Sequence, residues 1–106
     1  MLRISSLAAA CLLSAPVFAQ VWQKMPVSEL SGVKLYYDGA WQEFRPSGRT
    51  LYNAGQDSWG YWRDQDGQYC SQWPPNGAWD CYDLERSGDE IRFIDPQGNI
   101  TTGRIK

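Results

Sequence analysis

The sequence predicts an all-β domain of about eight short strands, a small up-and-down antiparallel barrel or a flattened sandwich. Three observations lead there. Turn signals recur at Asp38-Gly39, Ser47-Gly48, Ala54-Gly55, Asp66-Gly67, Asn76-Gly77, Ser87-Gly88 and Gln97-Gly98, with β-branched and aromatic stretches between them. No segment beyond Leu30 repeats apolar residues at helical spacing over a helical length. Cys70 and Cys81 bracket the tip Trp73-Pro74-Pro75-Asn76-Gly77, which reads as a disulfide-closed hairpin with aromatic strands on both sides. Closing the sheet removes its exposed edges, so the barrel is the favoured form.

The chain opens with a charged end, Met1-Leu2-Arg3, followed by the apolar run Leu7 to Leu13 and the small residues of Ala15-Pro16-Val17-Phe18-Ala19. This is the pattern of a signal peptide over residues 1–19, leaving residues 20–106 as a single β domain that is periplasmic or secreted. The apolar run is too short to span a bilayer, and no later stretch is longer, so no membrane span is expected. A lipid anchor on Cys11 is the lesser reading, because Ala8 stands where such a motif usually has leucine. Two remaining cysteines suit an oxidising compartment, and a domain this small is commonly stapled.

Pro26 to Leu30, with Gly32 just beyond, is the one candidate for a helical turn. Turning at Asp38-Gly39 puts Val33, Leu35, Tyr37 and Phe44 on one face and leaves Lys34 opposite Glu43. A turn at Ser47-Gly48 sets Leu51 against Phe44. In the disulfide hairpin Cys70 lies opposite Cys81, Gln72 opposite Trp79 and Tyr69 opposite Tyr82. A turn at Ser87-Gly88 brings Leu84 to Ile91, Tyr82 to Phe93 and Asp83 to Arg92, and one at Pro96-Gln97 carries Phe93 on to Ile100. Chained together, these registers place Trp62, Tyr69, Trp73, Tyr82, Leu84, Ile91 and Phe93 inside. The other face holds Trp59, Tyr61, Arg63, Gln72, Trp79, Asp83 and the disulfide.

The function classes are narrowed by what is missing. There is no histidine in the chain, so the commonest general base and metal ligand are absent, and neither a metal nor another cofactor is expected. The carboxylate pairs Asp64/Asp66 and Asp80/Asp83 could serve a small cell-wall or polysaccharide hydrolase only if they faced one cleft. Their simpler role is turn-making. Asp64-Gln65-Asp66-Gly67 shares part of a calcium-loop pattern, but Trp62 and Trp73 stand where the first and last acidic ligands would be, and a type I′ turn explains the same residues. The net charge is −2 and basic residues are scattered from Lys24 to Lys106, which excludes a phosphate-tracking patch, so no nucleic-acid partner is expected.

What remains is the outward aromatic group. Trp59, Tyr61 and Trp79, beside Arg63 and Gln72, form a candidate binding surface for an envelope protein or glycan, the expectation being a non-enzymatic binding module. The competing arrangement has Val21, Trp22 and Met25 folding back over this patch and burying it. A ligand cavity inside the barrel is disfavoured, since inward Trp62, Trp73, Tyr69, Tyr82 and Phe93 would fill so narrow a lumen. A structural envelope component with no specific ligand is the third possibility.

Leu30-Ser31-Gly32, the turn from Phe44 to Gly48, Gly60-Tyr61-Trp62-Arg63, Tyr69-Cys70-Ser71-Gln72-Trp73 with Cys81-Tyr82, and Gly88-Asp89-Glu90-Ile91-Arg92-Phe93 together cover nearly the whole exported part. They resemble the small exported proteobacterial domains of unknown function that carry a Cys…Trp…Cys hairpin. That resemblance implies a periplasmic setting and brings no catalytic residues. The architecture is also similar to that of periplasmic lysozyme inhibitors, a likeness of fold class alone, because no inhibitory-loop motif is present.

Overall fold

Nine strands and one short turn of helix make up residues 19–106, the part of the chain described by the computed structural model. Apart from Ala19, the predicted signal peptide lies outside the described residues. The strands are β1 (Gln23–Lys24), β2 (Val33–Tyr37), β3 (Ala40–Phe44), β4 (Arg49–Asn53), β5 (Asp57–Gln65), β6 (Gln68–Gln72), β7 (Trp79–Ser87), β8 (Glu90–Ile94) and β9 (Ile100–Ile105). From β2 to β9 each strand pairs antiparallel with the next, and β9 returns to β2 through Leu35 with Ile105 and Tyr36 with Arg104. The result is a closed eight-stranded up-and-down barrel with β1 added on β7. No helix among the described residues is long and apolar enough to cross a membrane.

The disulfide hairpin has the expected register, Tyr69 with Tyr82, Cys70 with Cys81 and Gln72 with Trp79. Cys70 and Cys81 are bonded, with Cα atoms 4.0 Å apart. Asp66-Gly67 forms a two-residue turn with φ of 54° and 85°, the backbone of type I′. Its twist matches that of the strands, which is why β5 and β6 run on without a bulge.

Three registers differ from expectation. Phe44 pairs with Thr50, and Leu51 turns to the outer face beside Glu43 and Trp59. The cause is a three-residue loop. Arg45 N donates to Arg49 O at 2.9 Å and Gly48 N to Arg45 O at 3.0 Å, so Pro46 and Ser47 form a type I turn closed by Gly48 at φ 92°. The same construction recurs in Asp95-Pro96-Gln97-Gly98-Asn99, where Asp95 N donates to Asn99 O at 3.0 Å and Gly98 N to Asp95 O at 2.9 Å. One extra loop residue reverses the faces, so Thr101 rather than Ile100 opposes Phe93, and Ile100 is 52% exposed. At the β7–β8 turn the hairpin pivots on Gly88-Asp89, pairing Leu84 with Phe93, Arg86 with Ile91 and Asp83 with Ile94. That shift is by two residues, which preserves every face.

One end of the barrel is packed shut. Pro26 precedes the 3₁₀ turn Val27–Leu30, as expected, and Met25, Val27 and Leu30 are buried with Leu35, Phe44, Trp62, Tyr69, Leu84, Ile91 and Phe93 in one core. Trp62 Nε1 donates to Arg45 O at 2.9 Å, which satisfies the indole and ties β5 to the β3–β4 loop. The plug is anchored by β1, whose Gln23 and Lys24 pair with Arg86 and Glu85, and by Met25 N, which donates to Leu84 O at 3.0 Å.

The opposite end is open, against the expectation of a lumen filled by rings. A cavity of about 660 Å³ lies there. Of the rings expected to fill it, Trp62, Tyr69 and Phe93 pack in the core with Tyr82 against them, and Trp73 lies over a strand glycine, as Tyr37 also does. A Cβ built on Gly60 would come within 2.6 Å of Trp73, and one on Gly103 within 2.8 Å of Tyr37. Each ring therefore covers the wall of the barrel instead of crossing its mouth.

Candidate functional site

The outward residues sit on adjacent strands, and their order follows from the register. Arg49 on β4 pairs with Tyr61 on β5, Tyr61 with Gln72 on β6, and Gln72 with Trp79 on β7, while Leu51 pairs with Trp59 and Arg63 with Cys70. Trp59 and Tyr61 are 40% and 41% exposed. The N-terminal segment does not cover them, correcting the competing expectation. Trp22 lies under the Arg92 guanidinium of β8 at 4.3 Å, Met25 is in the core, and Gln20 hydrogen-bonds Glu90.

Guanidinium groups cover much of what the rings present. Arg45 and Arg49 stand 4.9 and 4.8 Å from the Trp59 ring, Arg49 also lies 5.2 Å from Tyr61, and Arg63 is 3.8 Å from Trp79. Such contacts hold each cation over the negative face of a ring. Arg45 is ion-paired to Glu43 at 2.9 Å. Among the described residues no carboxylate lies within ion-pair distance of Arg49 or Arg63, and Arg63 bonds only the Gln65 amide, at 2.7 and 3.1 Å. The face thus combines rings with two uncompensated positive charges. Gln72 is turned to the tip loop, its Nε2 donating to Gly77 O at 2.9 Å.

Of the two candidate carboxylate pairs, one member of each is occupied in local structure. Asp64 Oδ1 accepts from Gly67 N at 3.0 Å, and Asp83 Oδ1 from Gln68 Nε2 at 3.0 Å. Asp95 binds the backbone and side-chain amides of Asn99 and the backbone N–H of Gln97, which hold its carboxyl below the usual range. None of Asp64, Asp66, Asp80 or Asp83 lines the cavity. No cluster of three potential metal-ligating side chains occurs among the described residues.

The open mouth was missed by sequence reasoning. Its walls are Tyr37, Tyr52, Trp73, Tyr82 and Phe93, and Trp59, a residue of the outer face, also lines it. Two buried polar side chains, Gln42 and Ser71, lie at its base, and a third, Thr50, is bonded to Gln42. Tyr37 OH donates to Gln42 Oε1 at 2.8 Å, Gln42 Nε2 to Thr50 Oγ1 at 2.9 Å and to Tyr69 OH at 3.4 Å, and Thr50 Oγ1 to Glu43 O at 2.8 Å. Trp73 Nε1 donates to Ser71 Oγ at 3.3 Å.

Burial pushes the Tyr69 phenol up to about 12, with hydrogen bonds from Ser71 and Gln42 opposing it, and raises Tyr37 further. Both raised values favour the folded state while the phenols are neutral. Unfolded tyrosine ionises near 10, so this stability is complete below about pH 10 and is lost as pH rises toward 12, by up to about 1.4 kcal/mol per pH unit for each group. Urea midpoints measured from pH 9 to 12 are expected to fall over that window, and Tyr69→Phe to fall less steeply. Parallel curves for the two proteins would contradict the assignment.

No protein-family model matches this chain, and no curated protein or solved structure matches it.

Proposed function

We propose that this domain is a non-enzymatic binding module, periplasmic or secreted, whose outer face on β5, β6 and β7 receives a protein or glycan of the envelope. One observation carries the reading: Trp59 and Tyr61 remain exposed beside Arg49 and Arg63, which have no carboxylate partner among the described residues. Tryptophan, tyrosine and arginine supply most of the energy where proteins bind partners, and contiguous exposed rings mark such surfaces. Because guanidinium groups already lie on the ring faces, the face fits a partner that brings carboxylates to Arg49 and Arg63 better than one that stacks a neutral sugar.

Peptidoglycan fragments carry both sugar and free carboxylates and are the first probe. Their addition is expected to shield Trp59 and Trp79 from acrylamide quenching of tryptophan fluorescence. A folded Tyr61→Ala/Trp79→Ala variant is expected to bind at least about tenfold more weakly, through the loss of two contributing contacts. Unchanged affinity in that variant would remove the outer face from consideration.

A further inference from the structure

We infer that the open mouth of the barrel is a second binding site, which takes one small uncharged molecule built on flat rings and carrying a hydroxyl or carbonyl group. The site is separate in chemistry from the outer face. Its volume, about 660 Å³, falls in the range of small-molecule sites. Its lining contains no Asp, Glu, Lys or Arg, although these make up 21% of the chain. A charged ligand would lose its hydration there and meet no countercharge, which is a large cost.

The preference for flat rings follows from the walls. Trp73 and Tyr37 are held against the barrel over Gly60 and Gly103, and Tyr52 stands between them, edge-on to Trp73 at 6.3 Å and tilted to Tyr37 at 6.2 Å. Aromatic panels fixed in this way offer faces and edges to another ring without reorganising.

The need for a polar group follows from the base. The Gln42 amide is fully engaged, its oxygen by Tyr37 and its nitrogen by Thr50 and Tyr69, so its orientation is fixed. Tyr37 and Tyr69 both line the cavity and stay protonated because burial raises both phenols. The Tyr37 oxygen, whose proton goes to Gln42, keeps acceptor capacity, while the Tyr69 oxygen takes hydrogen bonds from Gln42 and Ser71 and keeps its own O–H to donate. A hydrocarbon seated here would offer nothing to the Tyr37 lone pairs or the Tyr69 O–H, whereas a hydroxyl could donate to the first and a carbonyl accept from the second. The occupant is not expected from the chain's own N-terminal strand. That strand and Gln20, which bonds Glu90 beside the β7–β8 turn, lie at the plugged end.

The test uses the oxidised chain and a matched pair of probes, 4′-hydroxybiphenyl-4-carboxamide and 4′-hydroxybiphenyl-4-carboxylate, with amide and indole N–H signals followed by NMR. The carboxamide is expected to move the Trp73 indole and Gln42 side-chain signals and to leave the Trp79 indole in place. The carboxylate is expected to bind at least about tenfold more weakly, since its charge is unpaired in the site. Gly60→Ala, whose Cβ would press on the Trp73 ring and on the Gln72 carbonyl oxygen alike, and Tyr52→Ala are each expected to weaken carboxamide binding by about tenfold. If Gly60→Ala loses its dispersed spectrum, Tyr52→Ala decides. Equal affinity for the two probes, no movement at Trp73 and Gln42, or binding unchanged in Tyr52→Ala would each overturn the inference. So would movement of those signals by N-acetylglucosamine, uncharged but not flat, when the carboxamide moves none.

Discussion

Phe44→Ala is expected to lower the unfolding free energy by about 4 kcal/mol, the largest loss from any single substitution considered, because it removes a large ring from a core that cannot collapse around the gap. Phe44 is fully buried, with edge contacts to Trp62 at 6.0 Å and Tyr69 at 5.7 Å and a stacked contact to Phe93 at 6.2 Å. These neighbours come from β5, β6 and β8, on opposite sides of the barrel wall. Hydrogen-bonded strands hold the wall at a set circumference, so it cannot shrink into the vacated volume. Total stability for a small domain is commonly 5–15 kcal/mol, and the variant would sit near the threshold of folding. Urea unfolding followed by tryptophan fluorescence measures it. A loss under about 2 kcal/mol would mean that the plug of Met25, Val27 and Leu30 moves inward to refill the space.

Removing the disulfide is expected to cost about 3 kcal/mol, from the entropy returned to the unfolded chain when a short loop is opened. The bridge spans a sequence separation of 11 residues. A domain of this size loses several degrees of melting temperature per kcal/mol, so Cys70→Ser/Cys81→Ser is expected to melt on the order of 15 °C lower. The register of β6 and β7 is expected to survive, because Tyr69 with Tyr82 and Gln72 with Trp79 are paired by the strands themselves. Calorimetry of the oxidised and double-serine proteins gives the difference. Equal melting temperatures would show that the unfolded hairpin is already closed by its aromatic contacts.

The legible parts of the fold were those where a covalent bond or a two-residue turn allowed only one pairing. Cys70 with Cys81 and the Asp66-Gly67 turn were enough to place Trp62 and Tyr69 inside and Trp59, Tyr61 and Trp79 outside. The mouth was hidden by the two Pro-x-Gly loops. Counting Ser47-Gly48 and Pro96-Gln97 as two-residue turns put Leu51 and Ile100 inward, and so removed Thr50, Tyr52 and Thr101 from the inner face. Tyr52 and Thr101 line the mouth, and Thr50 accepts from Gln42 at its base. The signal was present in Arg45-Pro46-Ser47-Gly48 and Asp95-Pro96-Gln97-Gly98: proline second and glycine fourth suit a type I turn followed by a left-handed residue, which makes the loop odd. The openness of the lumen was harder to foresee. It depends on Trp73 and Tyr37 lying over Gly60 and Gly103, the next cross-strand positions beyond the pairs of Tyr61 with Gln72 and Tyr36 with Arg104. The first follows from the Asp66-Gly67 turn, but the second needs the β9–β2 closure, which no turn specifies.

The edge of β7 opposite β8 is shared, Trp79 to Tyr82 pairing with β6 and Glu85 and Arg86 with β1. Only two residues of β1 and the Met25 amide hold the second part, so this is the place where the barrel wall depends on a segment joined to it from one end. If β1 left, a stretch of β7 backbone would stand unpaired next to an emptied core. An identical strand from a second molecule fits that slot as well as its own does, which makes exchange of the N-terminal segment between copies the natural route by which this barrel would assemble or aggregate.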